Sequence, residues 1–172
     1  MTAIVFSSTY GSTERYAREL AARVGASCIT LDDATSQPPH RGPVVIVSPN
    51  YAGQFRGVDL ARSVAHQGVP VAFAAVGMTP LSQARAKDQL LGVLECASIE
   101  RFYLPGRLAY SEISRVHRAA LWTLTKVLRA KTSLSVAEQE LLDGYGKDIS
   151  RIDFAELDPI EAWLQRASTA AR

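Results

Sequence analysis

The sequence predicts an α/β protein built on a doubly wound parallel sheet, and three observations carry that prediction. Short apolar runs alternate with amphipathic segments through the first two thirds of the chain, the order from which parallel sheets covered on both faces are made. One run, Val44-Val45-Ile46-Val47-Ser48, is continuous and β-branched, as suits a central strand with no solvent face. The first run passes into its helix through a turn of hydroxyls and one glycine, Ser7-Ser8-Thr9-Tyr10-Gly11-Ser12-Thr13.

Taken in order, Ala3–Phe6 reads as the first strand. The helix after it places Tyr16, Ala17, Leu20, Ala21 and Val24 on one face, and Gly25 gives it a stop. Ser27–Leu31 is a second strand, and the polar stretch from Asp32 to Gly42, with Pro38 and Pro39, reads as a loop. The third strand is Val44–Ser48, and Val58–Gln67 is a helix. Val69–Val76 is a fourth strand, with Pro70 near its start where a missing N–H is tolerated. Leu81–Ala97 reads as one helix with Leu90, Leu91 and Leu94 on its apolar side, and Ile99–Leu104 as a fifth strand.

The last third differs. Glu112–Ala130 reads as a long helix with Ile113, Val116, Ala120, Leu124 and Val127 as its apolar positions. Ser135-Val136-Ala137-Glu138 has the form of a capping box ahead of Leu141 and Leu142. Asp158-Pro159 reads as an N-cap followed by a first-turn proline, opening a final helix with Ile160, Trp163 and Leu164.

The bulk properties narrow the function. A length of 172 residues suits a single domain over 1–172, and 47% hydrophobic with 21% charged residues excludes a disordered chain. The net charge of +2 gives no overall signal for nucleic acid or membrane. Cys28 and Cys96 lack metal-ligand spacing and read as reduced thiols. The chain opens directly into a strand without a leader-like segment, and no apolar run is long enough to span a bilayer, so the expected location is the cytoplasm. His40, His66 and His117 have no fixed spacing to a nucleophile and read as surface histidines. No nucleophile elbow or metal cluster is present. No side chain is therefore assigned as catalytic, and any chemistry is expected to belong to a cofactor.

The ends of the strands supply the site. In an open parallel sheet, ligands bind outside the carboxyl ends of the strands. The first such loop, Ser7–Thr13, suits an anion, because the first N–H groups of a helix lack internal partners and the dipole is positive there. Gly11 lets the backbone approach, and Ser8, Thr9, Ser12 and Thr13 offer hydroxyls. No lysine follows, as a triphosphate loop requires, and the three-glycine dinucleotide pattern is absent, so a monophosphate fits best. The alternative is an ordinary polar turn. The second loop, Ser48–Gly57, has Tyr51 and Phe55 either to cover a flat ring or to pack back on the domain, and backbone at Asn50, Tyr51, Ala52 and Gly53 to bond a ring edge. The third, Val76-Gly77-Met78-Thr79-Pro80, offers Gly77, Met78 and Thr79, with Met78 either an apolar contact or core filling.

Ser8-Thr9-Tyr10-Gly11-Ser12-Thr13 resembles the phosphate loop of flavodoxins, Ser/Thr-x-Thr-Gly-x-Thr, with Tyr10 where a threonine is usual. The three loops together resemble the flavin mononucleotide site of that family. The resemblance implies FMN as cofactor, strand order 2-1-3-4-5, and electron transfer through the flavin. Flavodoxins commonly stack a tyrosine of the third loop on the flavin; Met78 stands in that loop here, which implies a ring more open on one side or covered by something else. Leu104-Pro105-Gly106-Arg107-Leu108-Ala109-Tyr110, followed by a basic helix and a last helix, resembles the menaquinone-dependent protoporphyrinogen oxidases. Those carry a long insertion near the fifth strand, here about 111–150. The segment Leu142–Ile149 is similar to the tail of other flavodoxin-domain proteins.

Charge is placed unevenly. Arg101–Lys131 holds seven Lys/Arg and one acidic residue, Glu112, whereas Glu138–Glu161 holds eight acidic and two basic residues. The two blocks either neutralise one another or offer a basic face to an acidic substrate, an anionic membrane or an acidic protein. Arg107, Arg115 and Arg118 are the candidates to bind the propionates of a porphyrinogen. Three functions stay open: an electron carrier with a redox partner protein or quinone; an oxidoreductase of the protoporphyrinogen type with a quinone acceptor; and a flavin-free interaction module on the same scaffold.

Overall fold

The computed structural model describes residues 1–39, 41–51, 53–108, 110–111 and 115–170, with backbone only at 115–117, 136–137, 140 and 170. His40, Ala52, Ala109, Glu112, Ile113 and the His117 side chain therefore lie outside the described residues.

Five parallel strands form the sheet: β1 (Ala3–Phe6), β2 (Ser27–Thr30), β3 (Val44–Tyr51), β5 (Val71–Gly77) and β6 (Glu100–Pro105). Their order is β2-β1-β3-β5-β6, the expected 2-1-3-4-5 of the five parallel strands. Alternation along each strand explains the layers, because successive side chains point to opposite faces. Ile4, Phe6, Val45, Val47, Ala72 and Ala74 share one core with Tyr16, Ala17 and Leu20 of α1 (Ser12–Val24) and Ile160 and Leu164 of α8 (Asp158–Ala170). Val5, Ile46 and Phe73 share the other with Leu60 and Val64 of α3 (Val58–His66) and Leu90 and Leu94 of α5 (Gln89–Leu94).

Four elements depart from the sequence expectation. The stretch after β2 opens with a helix, α2 (Leu31–Ser36), because the Thr30 hydroxyl caps it by accepting the Asp33 N–H at 3.2 Å. The second loop is a hairpin: β3 runs on to Tyr51 and pairs with β4 (Gln54–Phe55) in register Asn50↔Phe55 and Tyr51↔Gln54. The expected single helix from Leu81 is two, α4 (Leu81–Lys87) and α5, broken at Asp88, whose φ of 38° is left-handed. The break has a local cause. Tyr103 Oη donates to the Asp88 carboxylate at 2.9 Å and accepts the Leu90 N–H at 3.0 Å, while Arg101 Nε donates to Asp88 at 3.1 Å. Finally, Asp158 is not a cap. It has helical dihedrals, continues from a 3-10 turn at Phe154–Leu157, and accepts from Arg23 at 3.0 Å. The cap is Asp153, whose carboxylate accepts the Ala155 N–H at 2.9 Å.

Beyond β6 the chain makes a helical excursion. The short strands β7 (Arg107–Leu108) and β8 (Ile149–Ser150) pair antiparallel and close its neck, and α6 (Arg115–Arg129) and α7 (Val136–Asp143) lie between them. The capping box is present: Glu138 N–H donates to Ser135 Oγ at 3.3 Å, and the Ser135 N–H donates to the Glu138 carboxylate at 2.8 Å. Ser135→Ala is expected to lower stability by about 1 kcal/mol, read by chemical denaturation. Lys131 Nζ also donates to Glu138, at 2.5 Å, joining the basic and acidic blocks. That donation, with the Ser135 bonds, holds the Glu138 carboxyl down to about 2.

Two buried phenols set a limit at high pH. Burial pushes both Tyr16 and Tyr103 up to about 12, above the ordinary value of 10. An unfolded tyrosine loses its proton from about pH 10. The folded state keeps it, so the stabilisation is complete below that pH and falls away as pH rises from about 10 towards 12. A base titration followed by circular dichroism should show stability falling in that window, and Tyr103→Phe, though less stable below pH 10, should lose less across it.

Candidate functional site

The three candidate loops leave the carboxyl ends of adjacent strands, β1, β3 and β5. The first turns into α1 at Gly11, which has φ 82°. A side chain there would meet nothing within 4 Å, so backbone conformation alone selects glycine. The Ser8 hydroxyl accepts the Gly11 N–H at 3.1 Å and fixes the turn. Gly11 O takes the Arg15 N–H at 3.0 Å, the first bond of the helix. Among the described residues, no acceptor meets the N–H groups of Ser12, Thr13 and Glu14, and no side chain caps the helix. Thr13 is buried and Ser12 half-buried. The donors are thus backbone amides and hydroxyls at the positive end of a thirteen-residue helix, a set that suits a dianion.

The second loop sits against the first. The Tyr10 and Tyr51 rings meet edge to face, 6.2 Å between centroids. Burial raises the Tyr51 phenol, opposed by its bond to Thr9. Asn50 Oδ1 accepts the Gly53 N–H at 2.8 Å, and Ser48 Oγ accepts the Arg56 N–H at 2.9 Å, so the hairpin is held from inside. Phe55 takes the packing alternative: its ring meets the core residue Phe73 edge to face at 6.4 Å. Ala52 lies outside the described residues.

The third loop touches the second at Gly77, where an added Cβ would lie 3.3 Å from Asn50 Cβ. Its other neighbours were not legible as site residues. Gly77 O accepts the Gly106 N–H at 2.7 Å, Gly106 O accepts the Arg151 N–H at 3.0 Å, and Arg151 Nη1 donates to Met78 O at 3.3 Å. The two ends of the helical excursion are thereby stitched to the loop. Tyr16 braces the same junction from α1, donating to Pro105 O at 2.7 Å and accepting the Asp153 N–H at 2.9 Å. The signal for Tyr16 was in the sequence: a tyrosine on the buried face of a helix needs a partner for its hydroxyl.

Met78 is neither isolated nor simple core. With Thr79 it lines a cavity of about 270 Å³ beneath the excursion, together with Leu108, Leu128, Leu141 and Ile149 and with Arg151 and Glu138. The expected propionate binders are differently engaged. Arg118 stacks over the Tyr110 ring at 5.3 Å and donates to Tyr110 O at 3.3 Å. Arg107 lies near Asp148 and helps Ser111 hold that carboxyl below its usual range. The Arg115 side chain is outside the described residues. Among the described residues there is no cluster of metal-binding side chains and no helix long and apolar enough to cross a membrane.

A strand order of 2-1-3-4-5 is that of the flavodoxin-like doubly wound fold, in which ligands bind outside the carboxyl ends of the strands, where the three loops lie. The sequence model of the flavodoxin domain matches residues 3–135, and the chain belongs to the flavodoxin-domain family. That family typically binds a flavin. The match covers the sheet, the three loops and α6. None of the curated proteins compared matches the chain.

Proposed function

We propose that the protein binds one flavin mononucleotide across these loops and passes electrons through it. The observation that carries the reading is the unanswered donor set of Ser12, Thr13 and Glu14 behind a left-handed Gly11, two strands from Gly77. Ser8, Thr9, Tyr10, Gly11, Ser12 and Thr13 hold the phosphate. Asn50, Tyr51 and Gly53 flank the isoalloxazine on one side and Gly77, Met78 and Thr79 on the other. Bound there, FMN supplies one- and two-electron transfer; the chain binds it, orients its ring edge with backbone groups, and excludes water. The purified protein should retain a visible flavin band after FMN is added and free ligand removed. Protein that stays colourless supports the interaction-module alternative instead. Gly11→Val should weaken FMN binding about tenfold with the fold intact, since a left-handed valine costs about 1–2 kcal/mol.

One observation favours a second reading, an FMN-dependent dehydrogenase with a quinone acceptor. The cavity beside Met78 and Thr79 is roofed by leucines of the excursion and carries Arg151. A plain carrier has no need of a roofed apolar pocket next to its third loop. Anaerobic mixing of the FMN-loaded protein with protoporphyrinogen, followed by flavin absorbance, separates the two. Bleaching at catalytic rates supports the dehydrogenase, and no bleaching supports the carrier.

A further inference from the structure

The basic and acidic blocks of the last third neutralise each other only in part. Lys131 donates to Glu138, and Arg107 lies near Asp148. Most of the rest of the acidic block is engaged elsewhere. Asp143 accepts from Gln139, Asp153 caps the turn into α8, and Glu156 and Asp158 pair with Arg85 and Arg23. That leaves the cations of α6. Arg118, Lys126 and Arg129 are exposed, and among the described residues none of them forms an ion pair. The helix itself holds no acidic residue.

These cations share one side of the helix. Helical spacing puts Arg118, Trp122, Lys126 and Arg129 within an arc of about 80°, along about 16 Å of axis. Trp122 stands among them at 54% exposure. Lys126 Nζ lies over its ring at 5.4 Å, and the Arg118 guanidinium lies over the Tyr110 ring at 5.3 Å. Leu124 lies about 160° round the helix from Trp122, and Val127 about 140°. The strip is charged and convex, with an aromatic at its centre. It therefore suits a macromolecular surface and not a small ligand, whose sites are concave. Arginine and tryptophan are also the residues on which interface energies concentrate.

We propose that this side of α6 docks an acidic protein, the redox partner of the carrier reading, whose carboxylates meet Arg118, Lys126 and Arg129 around Trp122. Charge complementarity selects this occupant. A bilayer needs an apolar stripe to enter it, and Trp122 is the one large apolar side chain on this side among the described residues. Nucleic acid needs open aromatic faces for its bases, whereas the Trp122 and Tyr110 rings already carry Lys126 and Arg118. A second copy pairing through the same strip sets its cations against each other, and most of its carboxylates are engaged as above. The placement serves electron transfer, because another side of the same helix brings Leu124 and Leu128 to the cavity beside Met78 and Thr79. The proposal rests on the carrier reading for the partner's role, while the docking itself does not depend on bound flavin.

The test is fluorescence anisotropy of the full chain, with and without FMN, titrated into a labelled peptide of Asp and Glu about a central Leu. Single-stranded DNA of equal charge and vesicles of phosphatidylglycerol are the competing probes. The peptide should bind at least about tenfold more tightly than the DNA, equally with and without FMN, and raised salt should release it. Lys126→Glu with Arg129→Glu should weaken binding at least about tenfold, and so should Trp122→Ala. The same reversal at Lys87 and Arg166, exposed on α4 and α8, should leave the affinity within about threefold. Far-ultraviolet circular dichroism confirms that the variants fold. Tryptophan emission of the unaltered protein should shift on binding, which needs no variant. Peptide affinity that salt or the α6 substitutions leave unchanged overturns the proposal, as does an equal loss in the Lys87 and Arg166 variant. Tighter binding of the DNA, or retention by the vesicles without peptide binding, overturns it in favour of those occupants. Self-association abolished by the α6 substitutions, without peptide binding, overturns it in favour of a second copy. Protein that takes FMN and ignores the peptide overturns the docking and leaves the carrier reading; peptide binding without FMN binding does the reverse.

Discussion

Tyr16→Phe is expected to destabilise the protein by about 1–3 kcal/mol, although it removes one oxygen atom. The hydroxyl is fully buried and bridges two backbone groups far apart in sequence, Pro105 O and the Asp153 N–H. Phenylalanine keeps the ring and its edge-to-face contact with Phe154, 5.6 Å between centroids. It leaves a carbonyl and an amide, each only part-buried, without this partner, and together they cost about 1–3 kcal/mol. Pro105 ends β6 and Asp153 precedes the turn into α8, so the loss falls on both roots of the helical excursion. Denaturant titration measures the energy. Amide exchange at Gly106 and Arg151 should quicken in the same variant, because their bonds close the neck. A change below about 0.5 kcal/mol would contradict this account of the junction.

Gly106→Val is expected to couple a loss of stability to a loss of flavin. An added Cβ at residue 106 would lie 3.0 Å from Gly77 O and 3.1 Å from its carbonyl carbon. Those atoms are backbone, so relief requires the third loop itself to move. Overpacking of this kind costs about 1–3 kcal/mol. The displaced carbonyl belongs to the loop assigned to the isoalloxazine edge, so FMN affinity should fall at least about tenfold alongside the thermal midpoint. Gly92→Ala is the matching control. Gly92 lies within α5 with nothing within 4 Å of a built Cβ, so alanine there should stabilise by about 0.5–1 kcal/mol. Unchanged FMN affinity in Gly106→Val would separate the third loop from the cofactor.

The parallel sheet was legible because β1, β3 and β5 are largely apolar runs, and α1 because its stripe is regular. Ser135 and Glu138 were legible because a capping box is a local device. What the sequence hid depends on distant partners. Asp88 breaks a helix for the sake of Tyr103 and Arg101, thirteen or more residues away. Asp158 reads as a cap until the preceding 3-10 turn supplies its own at Asp153. The helix α6 buries Thr125 and Leu128 and leaves Val127 exposed, because the excursion folds that side inward, which no periodicity announces. At the site, the turn from Ser8 to Thr13 was visible as composition. The support of the third loop by Gly106 and Arg151, and of the neck of the excursion by Tyr16, was not, because those residues bond backbone atoms far along the chain.

The central claim is that the turn from Ser8 to Thr13 binds a phosphate. Titration of the flavin-free protein with FMN and with riboflavin, followed by quenching of flavin fluorescence, tests it most directly. The two ligands share the ring and differ in the phosphate. FMN should bind at least about a hundredfold more tightly, the product of several charge-assisted bonds of about 1.5–3 kcal/mol each. Equal affinity for the two, or binding of neither, would contradict the account.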